Sequence, residues 1–102
     1  MVLLVTLAAK DADAAEHVAH RLDTYLESLL GRGLLAFRIG RDTADPSRIA
    51  LIEEWTNDDA HAQSAGLPAF AEMQRALAPL LAAPPSAATY EVVAAGFADD
   101  DD

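Results

Sequence analysis

Glu53 and Trp55 stand two residues apart at the end of an apolar stretch, Ile49 to Trp55, and in an extended strand that spacing puts both side chains on one face. Two arrangements follow. In the first, Glu53 and Trp55 share a pocket wall: burial raises the carboxylate pKa, Glu53 takes a proton from a bound ligand, and Trp55 stacks on an aromatic ring. In the second, Trp55 anchors a core or an interface, and Glu53 pairs with an Arg such as Arg38 on the neighbouring strand. His61 follows soon after Trp55 on a loop or short helix, where a neutral imidazole can border a pocket and relay protons near neutral pH. Glu53 and His61 are therefore the candidate catalytic groups. His17 and His20 have a three-residue spacing that suits a metal in principle, but no further His or Cys lies at a matching spacing. A solvated helix face is the expectation there, and no metal site is expected.

The elements that must position these groups are legible from periodicity. Val2 to Ala8 is a continuous apolar run, as in a strand buried on both faces. Asp13 and Glu16 form a capping pair ahead of a helix reaching about Leu30, with Val18, Leu22, Tyr25, Leu26 and Leu29 on one stripe and Gly31 as its stop. Leu34 to Arg41 reads as a second strand, with Leu35, Phe37 and Ile39 on one face. The turn-forming Asp45-Pro46-Ser47 leads into a third, Ile49 to Trp55. Thr56 or Asn57 caps a second helical region that Gly66 and Pro68 interrupt. A longer helix restarts at Pro68 and runs to about Ala82, with Pro79 kinking or shortening its end. Ala88 to Ala94 is the last strand. The order β-α-β-β-α-β is a ferredoxin-like split βαβ fold of the α+β class. Tyr25, Phe37, Phe70 and Met73 then belong to the core, or line a cavity between helices and sheet and contact its ligand.

Composition narrows the field. The chain has 102 residues and no cysteine, enough for one packed core and no disulfide or thiolate metal site. The expected organisation is one domain over residues 1–95 and an acidic disordered tail over 96–102, which ends in Asp99 to Asp102. A formal charge of −10 with seven scattered basic residues argues against nucleic acid or an anionic membrane surface as partner. The opening apolar run stops at Lys10 and Asp11, short of the ~20 residues of a membrane helix. It also lacks the marks of a signal peptide, so a cytoplasmic setting is expected. Two helices cover only one face of such a sheet. The first and third strands are nevertheless apolar on both faces, which predicts a homodimer closed through the open sheet face.

The segment Leu51-Ile52-Glu53-Glu54-Trp55, then Asn57-Asp58-Asp59-Ala60, then Leu67-Pro68-Ala69-Phe70, resembles the antibiotic biosynthesis monooxygenase family, and the strand order extends the likeness over Val2 to Val93. The resemblance implies a dimeric α+β barrel. It further implies oxygenation of quinols or polyketide aromatics without a cofactor. In the pocket-wall arrangement of Glu53 and Trp55, Glu53 would take a phenolic proton and the electron-rich phenolate would react with O2. One departure stands out. Where members often carry a His, nine residues beyond the Trp, this chain has Ser64, and His61 falls three residues earlier, on what reads as a different helical face. The related haem-degrading enzymes are a poorer likeness, because the first strand has no Asn, and Ser64 and Gln74 stand where their Trp and His would fall. A non-catalytic barrel binding an apolar ligand or a protein, and a polyketide cyclase, remain the rival readings. A pocket filled by Trp55, Phe37 and Phe70 would favour the non-catalytic one.

Overall fold

The computed structural model of the chain describes residues 1–98; the terminal Asp99 to Asp102 block lies outside the described residues. The elements are β1 (Val2–Ala8), α1 (Ala12–Glu27), β2 (Leu34–Arg41), β3 (Arg48–Trp55), α2 (Asp58–Ala65), α3 (Pro68–Leu77), a short 3-10 turn (Ala78–Leu80) and β4 (Ser86–Tyr90). They build one four-stranded sheet in the order β2-β3-β1-β4, antiparallel at every pairing. This is the ferredoxin-like α+β arrangement.

The core lies between α1 and one sheet face. Ala15, Val18, Leu22, Leu26 and Leu29 of the helical stripe are buried against Leu7, Ile49, Leu51, Leu34 and Trp55, the three- and four-residue recurrence on the helix meeting the two-residue alternation on the strands. Leu26, Leu34 and Val18 are the largest side chains fully removed from solvent. The same alternation sends Val2, Leu4, Ala36, Arg38, Ala50, Ile52, Glu54, Ala88 and Tyr90 to the opposite, helix-free face, as the cross-strand partners Leu4↔Ile52, Arg38↔Ile52 and Leu4↔Ala88 show.

Several local expectations are corrected. The N-cap of α1 is Asp11, whose carboxylate accepts from the Ala14 N–H at 2.7 Å. Asp13 instead lies inside the first turn, where its charge suits the helix dipole. The helix ends at Glu27, one turn before Gly31, which takes a positive φ of 79° in the following turn. In β2 a register shift between Leu34 and Ala36 inserts an extra residue. Leu34 therefore enters the core and Leu35, expected beside Phe37, is left 60% exposed. Pro79 stops α3 at Leu77, well before Ala82, because its ring tolerates only the first positions of a new turn. β4 begins and ends earlier than Ala88 to Ala94: its ladder with β1 runs out at Val2↔Tyr90, so Val92 and Val93 lie beyond the strand. No helix among the described residues is long and apolar enough to cross a membrane.

Candidate active site

β3 delivers Glu53 and Trp55 to the helix-covered face together, both buried, at 7% and 2% exposure. They are joined directly: the Trp55 Nε1–H donates to Glu53 Oε1 at 2.8 Å. Arg38 is not the partner of Glu53. It pairs with Ile52 across the ladder and so projects from the other face of the sheet. The strand end is fixed from two sides. The Trp55 N–H donates to the Met1 carbonyl at 2.8 Å, and the Thr56 N–H donates to the Gly33 carbonyl at 2.9 Å. Gly33 itself has a φ of 103°, and a Cβ there would stand 2.9 Å from the Ala60 methyl and 3.6 Å from the Trp55 ring. Only glycine meets both demands, the backbone angle and the close approach of α2 to the indole.

Asn57 caps α2, its side chain accepting from the Ala60 N–H at 2.8 Å, and the helix carries His61 and Ser64 towards the strand. Contrary to the sequence expectation, the two share a helix side, since a three-residue step returns nearly to the same face. The His61 ring meets Trp55 nearly edge-on, with centroids 5.3 Å apart. Ser64 is buried. From α1, Tyr25 tilts against Phe70 of α3 with centroids 6.4 Å apart, and the Ser64 hydroxyl is close enough to the Tyr25 phenol to act on its titration.

These groups border one cavity of about 700 Å³ between the helices and the sheet, within the ~300–1,000 Å³ of sites that hold small molecules. Glu53, Trp55, His61, Tyr25, Phe70 and Met73 all line it. Phe37 does not. It shares the sheet face with Glu53, its ladder partner, but sits on the far side of α1 beside Ala19, His20, Asp23 and Ile39. His17 and His20 are exposed on α1 outside the cavity lining. Two lining residues, Ser64 and Gln74, were noted in the sequence only as departures from a pattern. Ser64 was findable from its three-residue offset from His61. Gln74 lies four residues after Phe70 and three before Leu77 on α3, so the same helical stripe could have found it.

The electrostatics follow from burial. Loss of water raises the Glu53 pKa above the ordinary glutamate range, and the Trp55 hydrogen bond and the nearby His61 oppose the rise without cancelling it. Tyr25 is likewise raised, first by burial and further by the Glu53 charge, while the Ser64 hydroxyl works the other way. A carboxylate that holds a proton more tightly than usual, next to an imidazole and a phenol in apolar surroundings, is equipped to accept and return a proton.

Fold and site together define a small α+β domain with a buried carboxylate in an apolar chamber under its helices. The model of the antibiotic biosynthesis monooxygenase family matches residues 1–76, and the chain belongs to that family. Solved structures agree on the fold. A Deinococcus radiodurans protein provisionally described as an antibiotic biosynthesis monooxygenase is similar with a TM-score of 0.80 at 22% identity, over 97% of this chain and 99% of that one. Proteins with the same provisional description are similar from Caulobacter crescentus, with a TM-score of 0.81 at 17% identity over 91% of this chain and 89% of that one, and from Nitrosomonas europaea, with 0.80 at 19% over 90% and 88%. No curated protein is similar enough to add to the comparison.

Proposed function

We propose that the chain is a monooxygenase that oxidises an aromatic phenol or quinol with O2 and without an organic cofactor or metal. The observation that carries this reading is the Glu53 carboxylate, buried on the wall of an apolar cavity and tied to Trp55. Glu53 takes the phenolic proton, and the phenolate passes an electron to O2. Recombination forms a bond between oxygen and a ring carbon, and the proton held by Glu53 completes a hydroperoxide. Glu53 then removes the ring hydrogen as a proton. The C=O bond forms, the O–O bond breaks, and the departing hydroxide takes that proton and leaves as water. One oxygen atom enters the ring, and phenol plus O2 gives quinone plus water. His61, edge-on to Trp55, is placed to relay the protons. The cavity is open rather than filled by Trp55 and Phe70, and Phe37 lies outside it, which supports a ligand site over a packed core. Oxygen uptake with a panel of phenols and hydroquinones tests the reading. Quinone formed in equal amount to the O2 consumed is the expected result; conversion without O2 would make the chain a cyclase, and binding without conversion a carrier.

The chamber is expected to work as part of a homodimer closed through the open sheet face. On that face Ile52 is 43% exposed and Tyr90 53%, beside Val2, Leu4 and Ala36, an apolar surface that a second copy would cover by two-fold symmetry. Sedimentation at micromolar concentration should show a dimer. Ile52→Glu, which puts a charge into this apolar face, should shift it to monomer; a wild-type chain that sediments as a folded monomer would contradict the arrangement.

A further inference from the structure

The cavity is polar at one end and apolar at the other. Glu53 pairs with Leu3 and Leu51 with Val5 across the β3–β1 ladder, and the same ladder continues to Leu7, so Leu3 to Leu7 measures the chamber from its carboxylate end outward. At ~3.3 Å per residue that is about 13 Å. Glu53, the Trp55 indole N–H, Tyr25, His61 and Ser64 gather at the Leu3 end. At the Leu7 end the β1 bridge partner is Leu81, joined to Ala9, and the Ala82 N–H donates to the Ala8 carbonyl. There the wall continues through Leu77, Leu81 and Ala82 to Pro85, with Ala87 midway, opposite Val5, and Gln74 one turn before Leu77 on α3. Gln74 apart, none of these side chains carries a polar atom. Ala82 to Pro85 and Ala87 are also exposed, so the chamber opens between α3 and β4 through a rim that is apolar except for the exposed Gln74, while Glu53, Trp55 and Ser64 at the other end are buried.

We infer that the ligand is amphipathic: a hydroxylated aromatic head seated against Glu53 and Trp55, carrying an apolar tail that runs past Leu77 and Leu81 and leaves between α3 and β4. The inference rests on the head-group position adopted under the proposed function and adds the tail. A compact polyhydroxylated aromatic would leave most of its hydroxyls facing Leu7, Leu77 and Leu81, where Gln74 is the one polar side chain in the lining, at the cost of burying unsatisfied polar groups. An alkyl or prenyl chain there removes apolar surface from water on both sides.

The experiment is a titration of 4-alkylphenols from methyl to octyl, read by the fluorescence of Trp55, the one tryptophan of the chain, which sits at the head-group end. The Kd is expected to fall about fourfold for each fully buried methylene, then level off as the tail reaches the rim. Oligoether tails of matched length should bind no tighter than the short phenols. Ala87→Leu, an exposed β4 position on the apolar wall, should bring the levelling to a shorter tail. A Kd independent of tail length, equal affinity for oligoether tails, no binding of any phenol, or an unchanged length profile in Ala87→Leu would each overturn the inference. Oxygen uptake on the same series separates the two readings. A tail-length gradient without uptake upholds the amphipathic ligand and removes the oxygenation, whereas uptake with a flat gradient does the reverse.

Discussion

Glu53→Gln is expected to lower turnover of a phenol by ~10²–10⁴-fold, the range that a positioned general base contributes, while leaving the chain at least as stable as wild type near neutral pH. The stability half of this follows from the direction of the carboxylate's pKa. Burial raises it, so the folded chain binds that proton more tightly than the unfolded chain does. The stabilisation this provides is complete below the unfolded pKa and is lost as pH rises through the folded one. Gln never ionises and still offers an oxygen to the Trp55 N–H, which now donates to Glu53 at 2.8 Å. Melts of the variant should therefore match wild type in acid and equal or exceed it above the glutamate range. A purely structural Glu53 gives the opposite pattern: melting falls at every pH and turnover keeps pace with the folded fraction. Thermal melts and oxygen uptake on one preparation separate the two.

The legibility of this site in the sequence was uneven, for physical reasons. Strand alternation is a period of two with no error to accumulate, so Glu53-x-Trp55 on one face was secure as soon as β3 was recognised. Tyr25, Phe70 and Met73 were reachable because a helical stripe that must face the sheet also faces any space left between them. Phe37 obeyed the same alternation yet missed the cavity, because a sheet face is wider than one chamber and α1 divides it. Which side of α1 a residue falls on depends on strand order, and β2 lies at the edge, next to β3 and away from β1 and β4. The bulge at Leu34 to Ala36 was hidden for a different reason. Leu34 and Leu35 are equally apolar, and nothing local says which one the extra residue turns outward.

Burial was the property least available in advance. Alternation alone sets Glu53 and Glu54 on opposite faces of the strand, and the ladder shows which of them goes under the helices and which to the open face. The polarity gradient of the cavity is likewise a product of topology. Val5, Leu7, Leu77 and Leu81 come from two distant parts of the chain, and the β1 pairings that end in the Ala9↔Leu81 bridge bring them to one end.

Trp55→Phe is expected to raise the pH at which activity appears and to reduce the rate on the acid limb of the pH profile by about tenfold or more. Phe keeps an aromatic ring against His61 but removes the Nε1–H that now donates to Glu53. That hydrogen bond favours the ionised carboxylate and opposes the rise caused by burial. Without it Glu53 should hold its proton to a higher pH, and the acid limb of the rate profile should move the same way. A hydrogen bond to a charged group contributes ~1.5–3 kcal/mol, and ~1.4 kcal/mol corresponds to a factor of ten, which sets the size of the loss. Binding should weaken too, since the smaller ring offers less surface to stack on. The shift of the acid limb is the decisive readout, because an indole that served only as packing would lower stability and affinity while leaving the pH profile where it was. A Trp55→Phe enzyme with the wild-type acid limb would mean that Glu53 is not the base, and His61, held edge-on to the same ring, would be the group to substitute next.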